Sequence, residues 1–260
     1  AMGNGSTASG DYSTAMGNGS TASGEGSTAM GYYTTASGEG STAMGSGTAV
    51  GNYSTAMGSA TTAVGNYSTA MGSYSIANGF GSTAMGYQTT ASAYSTAMGY
   101  FTNANGYYST AMGYYTSTSG DYSTAMGYYT TASDYGSLVI GQYNSSGSSV
   151  TNSATSFNTA NTAFVIGNGA DSSNKSDAFK VMFNGDAYVY NNLYLGGTAI
   201  TSTALELNLL DGVTSTAAEL NILDGVTATA TELNLIDGVT STTAELNILD
   251  GVTATATELN

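Results

Sequence analysis

Between residue 1 and about residue 141 the apolar positions keep a fixed beat. Met stands at 2, 16, 30, 44, 57, 71, 85, 98, 112 and 126, and Ile140 takes the next place. The step is 14 residues, cut to 13 at Met44–Met57 and Met85–Met98. A weaker copy lies between these residues, as Ala8-Ser9-Gly10, Ala22-Ser23-Gly24 and Ala49-Val50-Gly51. The unit is two unequal halves of about seven residues. A heptad coiled coil does not fit, because each half carries a Gly and a β-branched Thr and lacks a Leu seam. Two short strands of four or five residues, parted by Gly-containing turns, fit better. They predict a β-solenoid with one coil per unit and strands stacked about 4.8 Å apart.

Alternation along the strands then assigns the faces. In Ser13-Thr14-Ala15-Met16-Gly17, Ala15 points one way while Thr14 and Met16 point the other. In Ser6-Thr7-Ala8-Ser9-Gly10, Ala8 is opposed by Thr7 and Ser9. The alanines of both halves can meet only in a thin coil. Met2, Met16, Met30, Met44, Met57, Met71, Met85, Met98, Met112, Met126 and Ile140 are left as an outer stripe. Such a stripe exceeds what a lone chain normally exposes. The expected remedy is rotational symmetry, with these residues as the shared core of a homotrimer. The other reading is a functional Met surface.

From 142 to 200 the repetition breaks. Ala163 to Tyr190 reads as three short strands, with turns at Gly167-Asn168-Gly169 and Asn184-Gly185. Asp171, Asn174 and Asp177 do not match a calcium loop and are expected to be solvated turn residues. From 201 to 260 a 13-residue array begins, with Leu at 207, 220, 233, 246 and 259. Thr203/Glu206, Thr216/Glu219, Thr229/Glu232 and Thr242/Glu245 each have the capping-box spacing. About two helical turns, a C-cap Gly and a short extended link follow in each unit. Helices that short need partners to persist. The chain starts inside one repeat and stops inside another, so a segment of a longer fibre is expected.

Composition narrows the function. The 260 residues contain no His, Cys, Pro or Trp, and Lys175 and Lys180 are the only cations against 17 carboxylates. The usual general bases, thiol nucleophiles and metal ligands are therefore largely missing. The carboxylates are mostly periodic or at turns, as with Asp11, Glu25, Glu39, Asp121 and Asp134. No catalytic residue, metal site or cofactor is expected, and the protein reads as a non-enzyme. A net charge of -15 leaves nothing to bind a nucleic-acid backbone. No apolar run reaches a membrane span.

Most of the 21 tyrosines fall before residue 144 and share repeat slots. Tyr87, Tyr100, Tyr114 and Tyr128 occupy one slot, and Phe101, Tyr115, Tyr129 and Tyr143 the next. Tyr53, Tyr67, Tyr94, Tyr108 and Tyr122 form a third set. Stacking would turn each set into a ladder about 5 Å per rung. Two readings stand: a ladder that stabilises the turns, and a recognition surface for glycans or proteins.

The Ser-x-Ala-x-Gly beat resembles the head repeat of trimeric autotransporter adhesins, the YadA-like head, over about 140 residues. That resemblance implies a trimer of parallel β-rolls with the larger apolar residue on the three-fold axis. Family members usually carry Ile, Val or Leu where this chain has Met. The repeat also occurs in phage tail fibres. The stretch Phe164-Val165-Ile166-Gly167-Asn168-Gly169, followed by Asp177-Ala178-Phe179, resembles an intertwined neck of trimeric fibre proteins. The array, as in Thr231-Glu232-Leu233-Asn234-Leu235-Ile236-Asp237-Gly238-Val239, resembles the Thr-Ala-Thr-Glu-Leu-Asn-Ile-Leu-Asp-Gly-Val array of phage tail fibres, particularly those of marine phages. The expected architecture is mainly β. It comprises a homotrimeric β-roll (1–141), a β-rich neck (142–200) and a trimeric shaft of short-helix/strand repeats (201–260). The expected role is a virion tail fibre that attaches to a host. Its partners would be itself, other virion tail proteins and a host glycan or protein receptor. The alternative is an adhesin on a bacterial surface.

Overall fold

The computed structural model describes residues 1–209 and, beyond them, 211, 213–216, 218, 229 and 231. It is mainly β, and the helix whose bounds lie among these residues is Ala204–Asn208. Residues 1–200 form one compact unit and 201–260 another.

The first unit is a parallel β-solenoid of about ten turns. Most coils have a longer strand, such as Thr14–Asn18 or Thr110–Tyr114, and a short one, such as Thr21–Ala22 or Thr131–Ala132, while Thr42–Ala49 and Thr55–Ala63 each run through both. Every strand pairs in register with its copy one coil away: Ala97 opposite Ala111, Met98 opposite Met112, Ala22 opposite Ala36. The short strands have two residues where four or five were expected. The chain bends at once, because Ser23 and Gly24 N–H both donate to the single carbonyl of Ala36, at 2.9 and 3.4 Å. The same fork recurs at Val50/Gly51 on Ala63.

The core is an alanine ladder from Ala15 to Ala111, every member fully buried. A second inward position lies two residues before each Ala. It holds Ser or Thr, such as Ser27, Ser41, Ser54 and Thr102, all essentially buried, except before Ala49, where it is Gly47. A coil this thin has room beside Ala only for a hydroxyl. Ser27, Ser41, Ser109 and Ser123 Oγ donate to the carbonyl three residues back, at 2.6–2.7 Å. Thr102, Thr116 and Thr130, stacked on one another at the other turn, have buried hydroxyls with no hydrogen-bond partner.

The Gly after each Met is where two coils come closest. Gly113 has φ +129°, and a Cβ there would sit 2.1 Å from the Gly127 carbonyl oxygen. Only glycine tolerates both that dihedral and that approach.

The repeats do not stop at 141. Thr162–Asn168 returns beside Leu138–Gln142 as one more parallel rung, with Ile166 opposite Ile140. It then pairs antiparallel with Asp177–Met182, which pairs with Ala187–Val189. Two carboxylates hold the intervening loop. Asp134 Oδ1 and Oδ2 accept from Thr151 and Thr162 N–H, at 2.6 and 2.8 Å. Asp177 accepts from Ser145 and Ser146 N–H, both at 2.9 Å. Asp177 is only 6% exposed, so it is not the solvated turn residue its sequence suggests. Backbone amides of a distant loop replace its water. Asp171 does match that expectation: it is exposed and accepts from Ser173 and Asn174. Those donors hold its carboxyl below the usual range, the Asn174 side chain contributing most.

In the second unit, Thr203 caps the helix Ala204–Asn208. Thr203 Oγ1 accepts from Glu206 N–H at 3.2 Å, and Glu206 accepts from Thr203 N–H at 2.7 Å. This is the reciprocal capping box. These bonds, the one from the Thr203 backbone first, hold the Glu206 carboxyl below the usual carboxylate range. Glu219, Glu232, Thr242 and Glu245, and with them the other capping boxes, lie outside the described residues, although Thr216 and Thr229 are among those described.

Candidate functional site

Two surfaces of the solenoid stand out. The first is the outer face of the longer strands. An isolated bridge pairs Met2 with Met16. From there the column runs in register through Met30, Met44, Met57, Met71, Met85, Met98, Met112 and Met126 to Ile140. Ile166 extends it by a rung. Sequence reading missed Ile166 because the preceding loop breaks the period. The available signal was Val165-Ile166-Gly167 repeating Val139-Ile140-Gly141. Met30 through Met126 are half-buried in the single chain, and Met16 is 39% exposed. A parallel column of Thr runs beside them and gives way to Leu138 and Phe164 at its end. The face therefore becomes apolar across both columns where the repeats finish.

The second surface is aromatic. Tyr87, Tyr100, Tyr114 and Tyr128 form one column, with ring centroids 5.0, 5.0 and 5.1 Å apart and planes within 12°. Phe101, Tyr115, Tyr129 and Tyr143 form the next, at 4.6, 4.7 and 4.8 Å. The columns lock at an angle to each other, as Tyr100–Phe101 and Tyr128–Tyr129 do at 69°. At the opposite turn Tyr94, Tyr108 and Tyr122 stack at 4.8 and 5.1 Å, and Tyr53 stacks on Tyr67. Phe80 bridges the gap between Tyr67 and Tyr94, a rung absent from the sequence-based set. Gly81 takes the turn slot in that coil, and the ring one residue earlier leans in.

The backbone explains why aromatics gather here. Tyr53, Tyr67, Tyr94, Tyr108, Tyr122, Phe101, Tyr115, Tyr129 and Tyr143 all have φ between 41° and 59°. In other coils the same turn slots hold Gly5, Gly19, Gly26 and Gly40, also at positive φ. A non-Gly residue there costs about 1–2 kcal/mol. Aromatic pairs return about 0.5–1.5 kcal/mol each beyond their burial. Stacking along the column is of the right size to offset the strain. Because interior rings cover each other's faces, a column presents mainly edges and hydroxyls to solvent. Burial and neighbouring phenols push Tyr114 and Tyr129 above the ordinary phenol range. Burial first, then the hydrogen bond its hydroxyl donates to Tyr128, pushes Tyr143 up to about 12. Tyr53 is raised by its hydrogen bond to the Glu39 carboxylate.

Among the described residues no three His, Cys, Asp or Glu side chains cluster as a metal site would need. No helix among them is long and apolar enough to cross a membrane.

A parallel solenoid with an alanine core, a glycine ladder and one bare apolar column defines a β-roll of the adhesin-head type. A model of the YadA head domain repeat, spanning two copies, matches residues 1–20, 22–48, 49–75, 77–94, 93–116 and 119–144, more than half of the chain. The chain belongs to the YadA head repeat family, whose domains build adhesin-like surface fibres. No curated protein matches it.

Proposed function

We propose that this chain is a stretch of a homotrimeric phage tail fibre, a non-enzymatic rod that attaches the virion to its host. The observation that supports this reading best is the Met column. Ten Met rungs continued by Ile140 and Ile166 form an apolar stripe along one face, and such a stripe is covered in most stable proteins. Three chains turning the same stripe to one axis would cover it with a closed symmetry. The 13-residue array after residue 200 favours a virion fibre, with other tail proteins and a host glycan or protein as partners. The family match equally supports an adhesin on a bacterial surface, and that is the second reading.

Light scattering on the chain tests the assembly. The expected mass is three times 26.0 kDa, and a monodisperse single chain with oxidisable Met residues would overturn it. Introducing Met98→Asp with Met112→Asp should disperse the trimer, because charges would face each other across the axis. Gold-labelled antibody against the chain then separates the two origins. Label on tail tips of virions supports the fibre, whereas label on the envelope of uninfected cells replaces it with the adhesin.

A further inference from the structure

The aromatic columns have one break, and it makes a site. In the turn after Met, the positive-φ slot holds Tyr33, then no residue in the 13-residue coil at Met44, then Ala60, Tyr74, Gln88, Phe101 and Tyr115. Tyr74 thus has Ala60 on one side and Gln88 on the other instead of rings. Its one ring contact among the described residues is edge-on, with Tyr87 at 6.2 Å. Phe101 stacks on Tyr115 at 4.6 Å, but its other neighbour in the slot is Gln88. Between Tyr74 and Phe101 lies a depression of about 380 Å³, floored by Thr62, Ile76 and Thr90 and edged by Ala60 and Gln88. That volume falls within the range of small-molecule sites. Ile76 and Thr90 belong to two-residue strands, and Thr62 to the second half of the strand Thr55–Ala63 that pairs with the first of them.

We propose that this depression binds one neutral pyranose ring of a surface glycan. Tyr74 and Phe101 have no ring stacked on the side that faces Gln88, and Tyr87 meets both only edge-on, at 6.2 and 5.7 Å; the open sides suit the apolar face of a sugar ring. Gln88 lies between them with both donor and acceptor capacity, and its Oε1 is shielded from solvent without a hydrogen-bond partner. Rotation of the amide into the depression would bring that acceptor to a sugar hydroxyl and satisfy it. None of the lining residues carries a charge at neutral pH, and the chain's charge of -15 opposes acidic sugars. The inference rests on the attachment reading above and names the ligand class for it.

Saturation-transfer NMR on the full chain tests it. The probes are the methyl pyranosides of glucose, galactose, mannose and N-acetylglucosamine, with N-acetylneuraminic acid as the acidic comparison. At least one neutral glycoside should bind with a Kd on the order of 1 mM, and the acidic sugar should not. Gln88→Tyr should abolish the signal at unchanged or higher Tm, because the slot accepts Tyr elsewhere and the new ring would stack on Phe101. Tyr74→Gly should weaken binding about tenfold while circular dichroism stays the same, since Gly5 and Gly19 occupy this slot in other coils. Three outcomes overturn the site: no glycoside signal at all, a signal undiminished by Gln88→Tyr, or a trimer that dissociates in Gln88→Tyr. The last would make the depression a subunit contact. A wild-type chain that is trimeric and labels virions yet binds no pyranoside overturns this site alone. A wild-type chain that is monomeric overturns the broader reading instead.

Discussion

The repeat body and its base are stabilised in opposite ways. In the body, up to about residue 132, the interior holds alanines and short hydroxyls, and no buried residue is charged. In the base, between residues 134 and 182, Val139 and Val165 replace alanine and two carboxylates are buried against backbone amides. Each coil of the body buries little by itself and depends on the coils above and below. Among the described residues Thr162–Asn168 pairs onward with the antiparallel Asp177–Met182 and not with another coil, and the loop before it is fastened by specific long-range hydrogen bonds. A repeat array stabilises by sameness, and its end needs residues that the repeat does not contain.

The comparison can be broken at either side. The largest loss is expected in the body from Gly113→Ala. The new Cβ would meet the Gly127 carbonyl at 2.1 Å with φ at +129°. A destabilisation of roughly 3–5 kcal/mol should appear as a lower urea midpoint. The base should answer to Asp134→Ala. The buried amide of Thr162 and the part-buried amide of Thr151 would lose their acceptor, costing about 2–3 kcal/mol. Hydrogen exchange should then rise first in the 143–162 loop. Equal exchange in the coils and the loop would mean that the carboxylate does not fasten it. Ala111→Val should cost about 1–3 kcal/mol by overpacking. Val139→Ala in the base is a loss of volume instead, and refilling that space with Ile should restore part of the stability.

The smallest effect is the most selective. Tyr114, Tyr129 and Tyr143 have hydroxyl pKa values raised above the phenol value of the unfolded chain. Their protonated form is favoured in the fold, so their stabilisation is complete below about pH 10. It fades as pH rises from there towards about 12, where Tyr143 titrates. Tyrosinate absorbance should show a late-titrating class that Tyr129→Phe reduces, with little change in urea stability at neutral pH.

Much of this was legible in the chain itself. The split of Ala inward and Met outward follows from period-two alternation, which needs no knowledge of the rest of the molecule. The tyrosine ladders follow from equal spacing. The positive φ of the turn tyrosines was not legible from Tyr, which has no preference for it. It could have been read by aligning Tyr33 with Gly5 and Gly19 in the same slot. The hydroxyls beside the alanines were on the same alternating face and were passed over, because Ser and Thr usually face water. Asp177 was misjudged for a different reason: its donors lie 31 and 32 residues away. Nothing within its own turn points to them.

The amino-acid order alone therefore settles the coil: its length, its thin interior, its obligatory glycine and its apolar outer column. These are local matters of strand alternation, side-chain volume and backbone dihedral. The folded arrangement decides the rest. Ile166 joins the column, Asp134 and Asp177 are drawn inside, and Tyr74 is left open on the side of Gln88. Each of these depends on which residues from distant or neighbouring coils come to lie beside it, and burial and stacking are properties of neighbours, not of spacing along the chain.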